Sequence, residues 1–379
     1  MRKRLAAVLV VALAVLAAQS HADARPRPGR THHRVCSKAK SGKIACYAQV
    51  IEQDGSATPF VTNSIAYGST PSQIKHFYAW PTANTAGTGK TIAIISAYNA
   101  PTLATDLGVF SQKFGLPGCA VSTGCLRIVN QTGGTTLPVQ DAGWAFEASL
   151  DTQWAHAIAP GAKILVVEAA GANLRDLFAA VDYAKTKAQY VSMSWGALEF
   201  TGESTLDTHF VQSGVSFFAA AGDDGLPANY PSSSPNVISV GGTSISWTKY
   251  AETGWSGGGG GCSTSEPAPA PQSRFASYAS VRCGGKRATP DVSADADPAS
   301  GVPVYDSTVF QNASGWFVAG GTSLSTPMTA ARSAVRGTVV NSATIYSTTL
   351  WFHDVNSGNN GAPCLTGYDL CSGRGSWVA

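Results

Sequence analysis

From Tyr67 onward the chain alternates between short β-branched apolar runs and longer stretches in which apolar residues recur every three or four positions. The runs TIAIISA (91 to 97), CLRIV (125 to 129), KILVVEA (163 to 169), YVSMSW (190 to 195), VSFFAAA (215 to 221) and VISVGG (237 to 242) predict strands. The stretches near 102 to 114, 143 to 158, 173 to 187 and 204 to 213 predict helices. Apolar strands separated by amphipathic helices imply right-handed crossovers and a parallel sheet with helices on both faces, an α/β fold in a single domain. Such sheets carry their chemistry at the carboxyl ends of the strands. The run SGGGGGCSTSEPAPAPQ (256 to 272) has no periodicity and is expected to be a surface excursion stapled by Cys262 and Cys283.

The amino end reads differently. MRKR, the apolar run LAAVLVVALAVLAA and then QSHA predict a signal peptide over residues 1 to 22, with the mature chain starting near Asp23 and the product secreted. A run of about 14 apolar residues is too short to span a bilayer, and no membrane partner is expected. DARPRPGRTHHR (23 to 34) reads as a flexible arm, within an amino-terminal segment of residues 23 to 66 that holds one local disulfide. Without Arg2, Lys3 and Arg4 the 26 basic residues fall to parity with the 23 acidic ones, so the charge balance gives no reason to expect nucleic acid. The 8 cysteines lie as four close pairs, Cys36 with Cys46, Cys119 with Cys125, Cys262 with Cys283 and Cys364 with Cys371, and four local loops are expected in an oxidising compartment. No pair has the tight spacing of a zinc site. A monomer is expected.

Candidate chemistry begins at GGTSLSTPMTA (320 to 330), where Ser323 stands between a strand-like run and a helix-like one. Such a serine caps a helix or acts as a nucleophile, and a nucleophile needs a base. In DAGWAFEASLDTQWAHAIAPGA (141 to 162), Glu147 and Asp151 are four positions apart, about 40° around a helix, and so share one face. Two like charges there repel unless they share a proton, which raises one pKa. His156, the rival base, lies about 180° from Glu147, on what reads as an outer, solvated face.

GGTSLSTP is similar to the nucleophile motif of the subtilisin-like fold, yet none of the 7 histidines lies in that fold's HisGlyThrHis segment, and Ser96 stands where its aspartate belongs. The acidic pair resembles instead the sedolisin family of serine-carboxyl peptidases, over residues 67 to 379. The resemblance implies a Ser-Glu-Asp triad of Ser323, Glu147 as its base and Asp151 as the carboxylate that orients it, cleaving protein or peptide substrates in acid. AAAGDDG (219 to 225) resembles the oxyanion segment and carries Asp223 over as the oxyanion residue, with Asp224 as the alternative. A carboxyl group donates a hydrogen bond only when protonated, so this exchange ties the chemistry to acid. YVSMSWG (190 to 196) corresponds to the family's substrate-pairing strand, and can equally be a core strand.

HDVNSGNNGAPCLTGYDLCSGRG (353 to 375) resembles the family's calcium loop, which implies one structural calcium held by the carboxylates of Asp354 and Asp369 and the carbonyls of Val355, Leu365 and Gly367. Other signals fail: GTGKT (87 to 91) lacks the first glycine of a phosphate loop, and Asp295 with Asp297 reads as an acidic turn. The family's long amino-terminal prosegment has only about 45 residues to occupy here, too few for a domain. A compact active peptidase is therefore expected, the alternative being a catalytically impaired secreted binding protein.

Overall fold

The computed structural model describes residues 31–53, 56–64, 66–347 and 351–378. The expected signal peptide, its cleavage point and most of the arm lie outside the described residues. The end of that arm is ordered: His32–Arg34 is a strand paired antiparallel to Gln49–Ile51, which pairs in turn with Ala313–Gly320. Backbone pairing to a buried neighbour overrides the coil-like composition there.

The central sheet has ten strands among the described residues, and its core is a run of parallel ones. Across it run Leu126–Asn130, Lys163–Ala169, Thr91–Ala97, Tyr190–Met193, Ser216–Ala220, Ile238–Ser246 and Val292–Asp295. The chain therefore reverses its direction of travel between Thr91–Ala97 and Tyr190–Met193, and a crevice opens at such a switch point. The strand residues are buried almost throughout, which is why they read as continuous apolar runs rather than alternating ones.

Helix Ala142–Ile158 lies at the centre of the molecule. Every residue from Trp144 to Ile158 is buried, because the helix packs on the sheet, on helix Thr322–Arg336 and on strand Val302–Phe310. A helix apolar nearly all round has no solvent face to turn outward. Its start is set by Asp141, whose carboxylate accepts the Trp144 N–H at 2.9 Å. Helix Leu174–Ala184 is capped in the same way by Asn173 and packs on Lys163–Ala169 and Thr91–Ala97.

Three expectations change. Residues 203–210 form a 3₁₀ segment, Glu203–Phe210, rather than an α-helix. The glycine run is packed inside: Gly258, Gly259 and Gly260 are buried, and a Cβ on Gly259 would meet the Ala221 carbonyl oxygen at 2.1 Å. Glycine is needed there for close backbone approach, and the chain then forms strand Gly261–Pro267 against Lys286–Thr289. Asp295 is a buried strand residue whose carboxylate accepts the Ser300 hydroxyl at 2.5 Å, not part of an exposed acidic turn. The four disulfides join the four close cysteine pairs.

Candidate active site

Ser323 is the second residue of helix Thr322–Arg336, which follows Gly321 at φ +93°. Pro327 in the same helix has no N–H to give to the Ser323 carbonyl four residues back. That carbonyl lies 3.4 Å from Ser194 Oγ, a long contact that shares the hydroxyl hydrogen with Asp151. The Ser323 side chain is fully buried; its Oγ donates to the Ser194 carbonyl at 3.2 Å and accepts the Tyr47 N–H at 3.1 Å.

Glu147 and Asp151 face this serine from the central helix. Oε2 of Glu147 accepts the Ala48 N–H at 3.1 Å, and Oδ1 of Asp151 accepts the Ser194 hydroxyl at 2.8 Å. The other oxygens, Oε1 of Glu147 and Oδ2 of Asp151, are buried and meet no donor among the described residues. Burial raises the pKa of Glu147 well above the ordinary carboxylate range and Asp151 adds its charge, while the Ser323 hydroxyl and the Ala48 N–H oppose the shift. Burial likewise raises Asp151, against the Ser194 hydroxyl. Two buried carboxyls, each with an unserved oxygen, are the condition under which a proton is shared.

Asp223 follows strand Ser216–Ala220 and reaches the start of the serine helix. Its Oδ1 accepts both the N–H and the hydroxyl of Thr322 at 2.8 Å, and its Oδ2 accepts the Gln49 amide at 2.8 Å. Burial pushes its pKa up from 3.8 to about 6, against those donors and the nearby Arg34. Asp224 is turned away into ion pairs with Arg34 and Lys38, at 2.7 and 3.1 Å, which separates the two neighbouring aspartates by environment.

His156 points away from the acidic pair, but it is not solvated. It is fully buried, its Nε2 lies 2.8 Å from the Pro117 carbonyl, and burial lowers its pKa. Ser96 is paired in register with Glu168, a buried carboxyl pushed up to about 7 by burial.

The subtilase-family sequence model matches residues 141–349. Over 93% of this chain and 67% of its own length, kumamolisin of Bacillus sp. (strain MN-32) is 31% identical. The chain belongs to the sedolisin group of the subtilase family. Sedolisin of Pseudomonas sp. (strain 101) is 29% identical over 85% of this chain and 62% of its own length, so the present sequence is shorter than these relatives. The solved structure of Pseudomonas sedolisin, a serine-carboxyl proteinase, superposes with a TM-score of 0.66 at 28% identity, covering 83% of this chain and 96% of that one. This sedolisin-group chain is thus a peptidase by family.

In the loop with the expected calcium ligands, Asp354 Oδ2 accepts the Gly367 N–H at 2.9 Å, while its Oδ1 is buried and meets no donor among the described residues. Asp369 accepts Leu365 N–H on Oδ2 at 2.6 Å, and Cys371 and Ser372 N–H on Oδ1 at 2.9 and 2.8 Å. The Val355 carbonyl accepts the Ser372 hydroxyl at 3.2 Å.

Sequence reasoning missed Ser194, which touches both Asp151 and Ser323, and the segment Tyr47–Gln49, which touches Ser323, Glu147 and Asp223 in turn. The short apolar run ACYAQVI (45 to 51), broken only by Gln49, was the available signal for a buried strand there.

Proposed function

We propose that this chain is an exported endopeptidase that cleaves peptide bonds in acid. Ser323 is the nucleophile, Glu147 its base and Asp151 the carboxyl that holds Glu147 in place. The reading is carried by one cluster: Ser323 and Asp151 meet at Ser194, and Glu147 is bonded to Ala48, next to Tyr47, whose N–H reaches Ser323. As Ser323 Oγ adds to a substrate carbonyl, Glu147 takes the hydroxyl proton and later returns it to the leaving nitrogen. The pair works singly ionised: one proton is shared between the two carboxyls, which burial and mutual repulsion favour, and the remaining charge is served by the Ala48 N–H and the Ser194 hydroxyl, which oppose the rise in pKa. The developing oxyanion accepts from the Ser323 N–H, one of the donors a helix start leaves unused, and from protonated Asp223.

The test is hydrolysis of a denatured protein at about pH 4, where unperturbed histidine is already protonated and a carboxylate base still works. No hydrolysis anywhere between weak acid and neutrality would sink the proposal. Asp223 also predicts the alkaline limit. Its pKa of about 6 means that the donor is lost as pH rises through that value. Asp223→Asn should donate at every pH and move the alkaline limb of the profile upward, read from kcat/KM against pH.

One calcium ion would be structural, held by Asp354, Asp369 and the carbonyls of Val355, Leu365 and Gly367. The buried, unserved Oδ1 of Asp354 fits a hard cation, and Oδ2 of Asp369, with the Leu365 N–H as its one donor, keeps a lone pair. A chelator should lower the melting temperature, and calcium in excess should restore it.

A further inference from the structure

Strand Ser376–Trp377 lies towards the edge of the central sheet opposite Leu126–Asn130. Beside it is a cavity of about 160 Å³, bounded by Phe77, Tyr78, Tyr250, Glu252, His353 and Ser376. None of these residues belongs to the candidate active site. Three of them carry phenyl or phenol rings and one is a buried carboxyl, a combination with a chemistry of its own.

The rings come from two short segments. Phe77 ends helix Pro71–Phe77 and Tyr78 follows it, and their ring centroids lie 5.1 Å apart at 90°. Tyr250 stands in the turn that joins Ile238–Ser246 to Ala251–Gly254, with its ring 5.1 Å from that of Phe77. Its φ is +49°, a backbone region that a bulky residue keeps only when its surroundings hold it there. The turn therefore accepts strain while setting an exposed tyrosine against Phe77.

Glu252, two residues on, is buried. Its Oε1 accepts the hydroxyls of Tyr78 and Thr243 at 2.8 and 2.5 Å, and its Oε2 accepts that of Ser376 at 2.6 Å. The Tyr78 oxygen itself receives the Asp295 N–H at 2.8 Å, which leaves its own hydrogen for Glu252. Three hydroxyls thus orient the carboxyl group without neutralising its charge, and Oε2 keeps a lone pair. Among the described residues no Lys, Arg or His nitrogen forms an ion pair with it, and His353 acts on it only from a distance. Burial raises its pKa against those hydroxyl donors, and a cation bound beside it offsets that cost. Aromatic rings around such a group favour the same kind of guest, since ring faces attract an ammonium ion.

We propose that this cavity binds a small alkylammonium group, supplied by a free primary amine or by the end of a lysine side chain, with Glu252 taking the charge and Phe77 and Tyr250 enclosing the methylenes. A cavity of about 150 Å³ holds a ligand the size of benzene, so about five heavy atoms fit here and a folded-over peptide does not. Neither Ser323 nor the acidic pair takes part, and the inference stands apart from the peptidase reading.

The test is a saturation-transfer NMR titration of the full chain carrying Ser323→Ala, at neutral pH, with three probes: n-butylammonium, uncharged n-butanol of matching shape, and a Gly-Lys-Gly peptide blocked at both ends. The amine should bind with a Kd of roughly 1 mM and roughly tenfold or more tightly than the alcohol. Glu252→Gln should weaken the amine by roughly tenfold or more and leave the alcohol unchanged. Tyr250→Leu keeps an apolar wall but removes the ring, and should weaken the amine by roughly threefold or more. That exchange lies on an exposed turn, so it carries the test should Glu252→Gln fail to fold. A peptide that binds as the amine does assigns the group to a lysine side chain, and amine binding alone assigns it to a free amine; both outcomes support the site. Equal affinity for amine and alcohol, no saturation transfer to the amine, or amine binding unchanged in Tyr250→Leu would overturn it.

Discussion

Ser323→Ala and Glu147→Gln should each leave no more than about a thousandth of the acid peptidase activity, while His156→Gln keeps most of it. The alanine lacks the attacking oxygen. Glutamine is close in shape to glutamate and still offers an oxygen to the Ala48 N–H, but it cannot take the serine proton. Its neutral amide also relieves the repulsion with Asp151 and the cost of burying a second acid, so the loss should come without unfolding. His156 is held by the Pro117 carbonyl on the far side of the same helix, and its exchange disturbs packing rather than proton transfer. The measurement is kcat/KM on a denatured protein at about pH 4, with melting curves recorded beside it. Full activity in Glu147→Gln together with its loss in His156→Gln would reverse the assignment of the base.

The central sheet was legible because buried parallel strands have only one way to be written: Thr91–Ala97 and Lys163–Ala169 follow the predicted runs residue for residue. The spacing of Glu147 and Asp151 was legible too, since helical geometry alone puts them on one face. The rest depended on tertiary partners that no local pattern encodes. The glycine run at 257 to 261 looks like a linker until the Ala221 and Leu370 carbonyls are brought against it. His156 reads as a surface residue only while its helix is taken to have an outside, and the Val302–Phe310 strand and neighbouring helices remove that outside. Residues 45 to 49 lie in a short apolar run that suits a buried strand, but their importance comes from Ser194, Ser323 and Glu147, all about 100 positions or more distant in sequence.

The same burial that equips the site should make the whole protein acid-stable and alkali-labile. Beyond the Glu147–Asp151 pair, the buried carboxyls of Glu168, Glu266 and Asp306 are pushed up to about 7 and that of Glu203 to about 8, in each case first by desolvation. The sign follows from raised folded-state values. Below the unfolded values of about 3.9 to 4.3 these groups are protonated in both states and the fold suffers nothing. As pH rises the unfolded chain releases its protons while the folded chain keeps them, and stability falls until the folded groups ionise near pH 7 to 8. Each proton that the folded chain retains and the unfolded chain releases adds to that fall over the window. His156 works in the opposite direction, since burial lowers its pKa and acid must force a charge into the core, but it is one group against several. Calorimetric melting of Ser323→Ala, chosen so that self-digestion does not distort the curve, should show the midpoint dropping by more than about 10 °C between pH 4.5 and 8. Glu203→Gln keeps an acceptor for the Phe200 N–H and removes one titrating acid, so its curve should be flatter over the same range. A midpoint that rises with pH across this window would mean that these carboxyls are ionised in the folded chain.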